Sequence, residues 1–235
     1  MTAPAVVRRR RSQRGSGEQL RAEIVAVAKS LLAAAASVDD VSIRAVADAV
    51  GVTPPSIYLH FADKNELIAA VVADVFEELD AAMLDAGAEA TGPMQRLRDY
   101  GMAYVRFAVD HPEHYRLAAM DPCPRPDVDE VLANSAFVHF NATVVECIEA
   151  GIFPAGDPLP ITLDLWSAAH GIASLMIAKP FLPWGDREAA AERVLCAAAL
   201  GHATVGLVGE PATPARITEW IKRRRPGRRI PGGPR

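Results

Sequence analysis

Apolar positions along this chain recur at spacings of three and four, the period of an α-helix, and no stretch alternates with period two long enough to predict a strand. Leu20, Ile24, Val27, Leu31 and Leu32 predict the inward face of a first helix, and Ser16-Gly17-Glu18-Gln19 opens it as a capping-box sequence. Ser42 is the N-cap of a second, in which Ile43, Val46, Ala47 and Val50 form one stripe. Gly51 ends it by tolerating a positive φ. Thr53 recaps the chain, and Pro54 and Pro55 fill the first turn of a third helix, where missing N–H groups cost nothing. That helix turns Ile57 and Phe61 inward and leaves Thr53, Ser56, Leu59 and His60 outward.

Asp63-Lys64-Asn65-Glu66 then opens a long fourth helix carrying Ile68, Val71, Val72, Val75, Phe76, Leu79 and Met83, ending near Gly87. Pro93 starts a fifth with Leu97, Tyr100, Tyr104 and Phe107; His111-Pro112 breaks it, and a short helix runs through Tyr115, Leu117 and Met120. Beyond the Pro-rich loop Asp121–Pro126, the positions Val128, Val131, Leu132, Val138, Val145 and Ile148 predict a seventh helix, ended by Gly151. An eighth runs to Lys179-Pro180, and Asp186 caps an Ala-rich ninth that reaches about Val205. The expected fold is all-α, with nine or ten helices.

Charge changes this picture more than composition does. The net charge of −4 hides a segregation: 14 of the 25 Lys and Arg lie in residues 1–21 and 216–235, which leaves residues 22–215 at −16. An acidic body repels a polyanion, so any nucleic acid is met by particular surfaces and not by bulk charge. The arm Arg8-Arg9-Arg10-Arg11 stands directly before the first helix, where it either follows phosphates into a minor groove or serves as a solubilising tail. The run Lys222-Arg223-Arg224-Arg225 is expected to be a solvated, irregular tail. The longest stretch free of Asp, Glu, Lys and Arg, Val194–Gly209, has 16 residues. That is short of the roughly 18–20 that a membrane span needs, so no membrane partner is expected. The N-terminus has no apolar signal-peptide core. Cys123, Cys147 and Cys196 lack metal or disulfide spacing and read as free thiols in a reducing cytoplasm.

Two short helices hinged at Gly51-Val52 are the geometry that pushes a helix into the major groove, and two amphipathic helices with a tight turn also occur without DNA. The residues beyond the hinge decide between them. The string Tyr58-Leu59-His60-Phe61-Ala62-Asp63-Lys64-Asn65-Glu66-Leu67 strongly resembles the signature of the tetracycline-repressor (TetR) family of bacterial regulators. The resemblance covers about residues 18–78, including Arg21, Ile24, Ser42-Ile43-Arg44 and Gly51-Val52-Thr53. It departs at Pro54-Pro55, where the family usually has a polar or basic residue and then glycine, so the N-terminal end of this recognition helix has fewer base-reading groups. The resemblance implies a basic arm over 1–16, a helix-turn-helix unit over 17–64, a ligand-binding and dimerisation domain over 65–208 and a basic tail over 209–235. Ser42, Arg44, Tyr58, His60 and Lys64 are expected to anchor phosphates. Thr53, Ser56 and Leu59 are expected to reach base edges, with Leu59 or Pro54 against thymine methyls.

In the C-terminal part, Trp166-Ser167-Ala168-Ala169-His170-Gly171 resembles the Trp-x-x-x-His-Gly motif of one TetR subgroup, and His111-Pro112-Glu113-His114-Tyr115-Arg116-Leu117 fits it too. Small and apolar faces on helices 8 (Trp166, Ala169, Ala173, Met176) and 9 (Ala191, Val194, Leu195, Ala198, Ala199) predict close packing. In a family of two-fold dimers, such a pair forms a four-helix bundle with its mate. Tyr100, Tyr104, Phe107, Phe137, Phe140 and Trp166 are either core or the wall of a pocket for a small apolar ligand, with Asn141, Tyr104 or His170 fixing its polar group.

No phosphate loop, nucleophile elbow or His-Glu-x-x-His motif occurs, so no enzyme, cofactor or metal is expected. His111 and His114, with Pro112 between them, read as polar loop residues. The leading expectation is a ligand-responsive repressor on a palindromic operator. The alternatives are a ligand-independent architectural DNA-binding protein and a helical acyl-binding enzyme.

Overall fold

A computed structural model describes residues 16–35, 37–120, 136–209 and 212–224. The arm Arg8–Arg11, the loop with Cys123, the positions Val128, Val131 and Leu132, and everything beyond Arg224 lie outside the described residues. The order is α1 (Ser16–Ala34), a 3-10 turn (Val38–Asp40), α2 (Ile43–Val50), α3 (Pro54–Tyr58), α4 (Lys64–Gly87), α5 (Pro93–Asp110) and α6 (Pro112–Tyr115). A π-turn (Arg116–Met120) follows, then α7 (Ala136–Glu149), α8 (Pro158–Ala178), α9 (Arg187–Val208) and α10 (Pro214–Arg224). No strand occurs among the described residues.

Local chemistry sets the helix ends. Ser42 Oγ accepts the Ala45 N–H at 3.1 Å and opens α2. Gly51 closes it in the left-handed region at φ 81°, which no side-chain-bearing described residue adopts. Asp63 Oδ1 accepts the Glu66 N–H at 2.8 Å to open α4, and the Glu66 carboxylate reaches back to the Ala62 N–H. Asp157 and Asp186 cap α8 and α9 in the same way. Where α4 and α5 cross, a Cβ on Gly87 would stand 2.3 Å from the Tyr100 ring, so this approach requires glycine.

Helices α1 to α3 enclose a small core of Ile24, Ala28, Val46, Ala47, Ile57 and Phe61. Helix α4 supplies Leu67, Ile68 and Val71 beside it and then runs on along α5, with all seven of its expected apolar positions buried. The expected boundary at 64/65 falls in the first turn of this continuous helix. Lys29 fastens α1 to α4 through Asp74 at 2.5 Å and Glu78 at 2.6 Å. Helix α5 is the centre of the C-terminal bundle. It is tied to α7 by Arg96–Glu146 at 2.5 Å and to α9 by Arg98–Glu192 at 2.6 Å and a two-pronged Arg106–Glu188 pair at 2.7 Å.

Four expectations change. In α7 the buried positions are Phe140, Thr143, Val144 and Cys147, while Val138 is exposed and Val145 and Ile148 are half-buried. A Val stripe and a Phe-Val-Cys stripe lie side by side in this helix, and only packing against α5 and α8 selects one. On α8 and α9, Ala169, Ala173, Met176 and Ala191 pack inside their own chain, and Leu195, Ala198 and Ala199 are half-buried. Of the expected positions Val194 alone is exposed, and the other outward apolar positions are Leu159, Leu163 and Leu175 on α8 and Leu200 and Leu207 on α9. Both helices are long and apolar enough to cross a membrane by length and composition, with mean hydropathy 1.3 over 18 residues. Counting only charge-free runs misses this, because a window of that length tolerates a charge. Finally, Lys222, Arg223 and Arg224 are not irregular: they end α10, an amphipathic helix whose Arg224 guanidinium lies 4.3 Å from the centre of the Trp220 ring.

Candidate nucleic-acid interface and ligand cavity

The N-terminal unit presents α3 on its surface through the turn at Gly51. Ile57 and Phe61 have no exposed surface to speak of, and this burial fixes which side of α3 faces out. Leu59 is 84 % exposed and Tyr58 54 %, with Thr53 and Pro55 also exposed and Pro54, Ser56 and His60 half-buried beside them. Leu59 and Tyr58 thus stand exposed side by side at this tip, next to the polar Thr53, Ser56 and His60. Thr53 takes the N-cap conformation, but its hydroxyl pairs with that of Ser56 at 3.0 Å and caps no backbone N–H.

The expected phosphate anchors flank this tip. Ser42 is exposed while capping α2, and Arg44 is 85 % exposed with only a 4.0 Å approach to Asp48. Lys64, in the first turn of α4, is half-buried, 4.0 Å from the fully exposed Asp39. The Arg21 guanidinium lies 5.0 Å from the centre of the Phe61 ring, so α1 braces the end of α3.

The second site lies in the bundle. Tyr100, Tyr104, Phe137, Phe140 and Trp166, all expected there, surround a recess of about 20 Å³ together with Met83, Gly101 and Ala169. Phe107 lies outside it, its ring tilted against that of His111 with centres 5.1 Å apart. Asn141 accepts the Thr162 hydroxyl at 2.9 Å, which joins α7 to α8, and does not line the recess. His170 also stands outside it, behind a chain of hydrogen bonds. The Tyr104 and Tyr115 hydroxyls are 2.9 Å apart, Tyr115 Oη is 2.6 Å from His170 Nδ1, and His170 Nε2 is 3.3 Å from Ser174 Oγ.

Burial keeps this chain neutral. It pushes the Tyr104 hydroxyl up to about 12 and the Tyr115 hydroxyl higher still, and it holds His170 below its ordinary value. Tyr115 Oη and Ser174 Oγ therefore bracket a neutral imidazole, one on each ring nitrogen. The Trp166 indole Nε1 is buried with no hydrogen bond of ordinary geometry, although it stands near enough to the Tyr104 hydroxyl to favour that group's ionised form.

A larger cavity of about 260 Å³ adjoins the recess and shares Gly101, Phe140 and Ala169 with it. Leu97 and Leu165 complete its buried floor; Leu195 and Ala199 form the wall from α9; Gln95, Cys196 and Leu200 stand at its mouth. Sequence reasoning did not name Met94, Gln95, Arg98, Leu165 or Leu200, read Cys196 only as a free thiol, and assigned Leu195 and Ala199 to a dimer face. The one legible signal was Gly101 in the middle of α5: a Cβ there would stand 3.1 Å from Leu195 Cδ1. His111 and His114 stack with ring centres 6.1 Å apart, and among the described residues no group of three or more His, Cys, Asp or Glu is placed to hold a metal ion.

Comparisons with known proteins agree with this architecture. Residues 24–71 match the family described as bacterial regulatory proteins, tetR family, and residues 97–215 match the tetracyclin repressor-like C-terminal domain. A solved protein of unknown function from Rhodococcus sp. RHA1 is 28 % identical, covering 78 % of this chain and 95 % of its own, with a TM-score of 0.67. A TetR family transcription regulator from Marinobacter aquaeolei VT8 is 17 % identical over 79 % of this chain and 98 % of its own, at TM-score 0.62. RolR, solved in complex with resorcinol, is 18 % identical over 87 % of this chain and 95 % of its own, at TM-score 0.60. The last two likenesses concern the fold alone. No curated protein matches the sequence. With an N-terminal match ending in α4 and a C-terminal match spanning half the chain, this protein belongs to the TetR family of bacterial transcriptional regulators.

Proposed function

We propose that this DNA-binding regulator is a homodimeric repressor in the cytoplasm that leaves a palindromic operator when a small apolar molecule enters its C-terminal bundle. The observation that carries the DNA-reading half is the solvent-facing row on α3 and its exit, Thr53, Ser56, Tyr58, Leu59 and His60, held outward by the burial of Ile57 and Phe61. In this reading Ser42, Arg44, Tyr58, His60 and Lys64 hold phosphates. Thr53 and Ser56 reach base edges, and Leu59 or Pro54 meets thymine methyls.

Dimerisation is assigned to α8 and α9, on the outward leucines and not on the alanines that pack internally. Within the 18-residue apolar window of α9 only 11 % is buried, so an uncovered apolar face of that size calls for a partner. The adjoining cavities favour ligand response over a ligand-free architectural role, since an apolar void destabilises a bundle that has no use for it. That a fold neighbour holds resorcinol fits the same reading.

The Trp-x-x-x-His-Gly subgroup is retained as part of the proposal. The four-residue spacing brings the Trp166 and His170 rings together on one face of α8, tilted, with centres 5.6 Å apart. Gel-shift titration on a palindrome from the neighbouring intergenic DNA, repeated across small-molecule pools, tests the whole. Sequence-selective binding that one pool abolishes is the expected result; selective binding that no pool changes returns the architectural reading.

A further inference from the structure

We infer that the recess and the cavity form one binding site for a neutral, largely apolar compound that carries a single hydrogen-bond-accepting oxygen, taken by the Trp166 indole N–H. The inference rests on the ligand-responsive reading and adds the chemistry of the ligand. Three observations lead to it.

The first is continuity. The two voids share Gly101, Phe140 and Ala169, and two of these three residues have little or no side chain, so the partition between the voids is thin. The larger void, about 260 Å³, lies just below the ~300–1,000 Å³ of drug-sized ligand sites, which suits a body of one or two rings.

The second is the absence of available charge. Among the described residues Arg98 is the one ionisable cation on the wall, and it is already held by Glu192 at 2.6 Å and Asp99 at 2.9 Å. A carboxylate ligand would have to displace those acids, whereas a neutral one leaves them in place.

The third is the indole itself. Trp166 lines the recess, and its Nε1–H, a donor with no acceptance capacity, is buried with no partner of ordinary geometry. A buried donor left unmade is unfavourable, so a ligand oxygen that accepts it gains more than the same oxygen would at an exposed site. The Tyr104 hydroxyl beside it is engaged with Tyr115, itself bonded to His170, and the indole approaches that hydroxyl without a hydrogen bond of ordinary geometry, so a ligand oxygen competes only with this poor contact.

The test uses two nearly isosteric probes, 2-acetylnaphthalene, whose ketone accepts, and 2-ethylnaphthalene, which does not. Calorimetric titration into the full-length dimer should show the ketone binding at least tenfold more tightly. Trp166→Phe keeps a ring and removes the donor; it should erase that difference, so that the two probes bind the variant alike. Ala199→Phe, which fills the larger cavity from the α9 wall, should abolish binding of both probes while circular dichroism reports an unchanged helix content.

Equal affinities in the wild type, or a preference that survives Trp166→Phe, would overturn the anchor. Binding of neither probe, or binding unaffected by Ala199→Phe, would overturn the site. The ligand-responsive reading fails separately. If the ketone binds through Trp166 but leaves operator affinity unchanged, the site stands and the regulation does not. If some pool releases operator equally from wild type and Trp166→Phe, the regulation stands and the anchor does not.

Discussion

The two halves of this protein are built from the same element and packed to different standards. In the N-terminal unit three helices close on six side chains that are essentially sealed from solvent: Ile24, Ala28, Val46, Ala47, Ile57 and Phe61. The C-terminal bundle leaves Trp166 half-buried, holds two adjoining voids and exposes leucines along α8 and α9. A tightly packed interior has few alternative arrangements, which suits a surface that must match a groove. A bundle with unfilled volume can repack around a guest at little loss. Helix α4 joins the two, packing on α1 at one end and along α5 at the other, and Lys29 locks it to α1 through two carboxylates. Burial alone would lower the Lys29 pKa, but its hydrogen bonds to Asp74 and Glu78 raise it, so the ammonium stays charged at this joint.

The contrast is broken most directly by equal truncations on either side. Ile57→Ala removes a side chain with no exposed surface and should cost about 3–5 kcal/mol, the upper part of the range for a core that cannot collapse. Leu195→Ala, on a wall that already faces empty space, should cost only about 1 kcal/mol, because fewer contacts are lost. Urea titrations of the two variants measure the difference; equal costs would mean that the bundle is packed as rigidly as the DNA-reading unit.

Next in size is the exposed face of α9. A Cβ on Gly201 meets nothing within 4 Å in its own chain, so Gly201→Arg leaves the protomer intact and places a charge on the proposed interface. Sedimentation should show monomers, and operator affinity should fall about a hundredfold or more with loss of the tethered second half-site. A dimer that survives the substitution would move the interface elsewhere. Ala198→Arg is a poorer test, because Ala198 is half-buried within its own chain.

A smaller effect sharpens the DNA side. Lys64→Ala should weaken all DNA sequences alike and reduce the salt slope of binding by about one unit, since one phosphate contact is removed. An unchanged slope in a folded variant would take Lys64 out of the interface.

The mildest prediction concerns pH. Burial holds His170 below its ordinary value, and burial likewise lowers His114. Above an unfolded value of about 6.5 both states are neutral at these positions and stability is full. As pH falls below that, the unfolded chain takes up protons that the folded chain refuses, so stability declines until the folded groups titrate in turn. His170→Gln should flatten part of this decline in urea midpoints between about pH 7 and pH 5. A midpoint that rises on acidification in the wild type would reverse the sign assigned here.

Much of the N-terminal unit was legible because each device there is local. Ser42 and Asp63 cap within three residues, Gly51 needs its own φ, and Ile57 and Phe61 are one turn apart. The bundle was legible in part. The expected aromatics do meet around one recess, yet Phe107, Asn141 and His170 stand outside it, and the larger cavity is walled by residues that looked like an interface. Helix α10 was hidden because its basic run was read by charge alone, while Ile217, Trp220 and Ile221 give it an apolar side.

By itself, then, the sequence determined the helices, their caps and the outward aim of α3, since period and capping chemistry act within a few residues. Tertiary structure alone decided three things: which stripe of α7 turns inward, which faces of α8 and α9 remain uncovered, and where the voids lie. Periodicity records that a face is apolar and is silent about what that face meets. A void belongs to no single helix: it is the volume left over when four of them are held apart by one another's side chains.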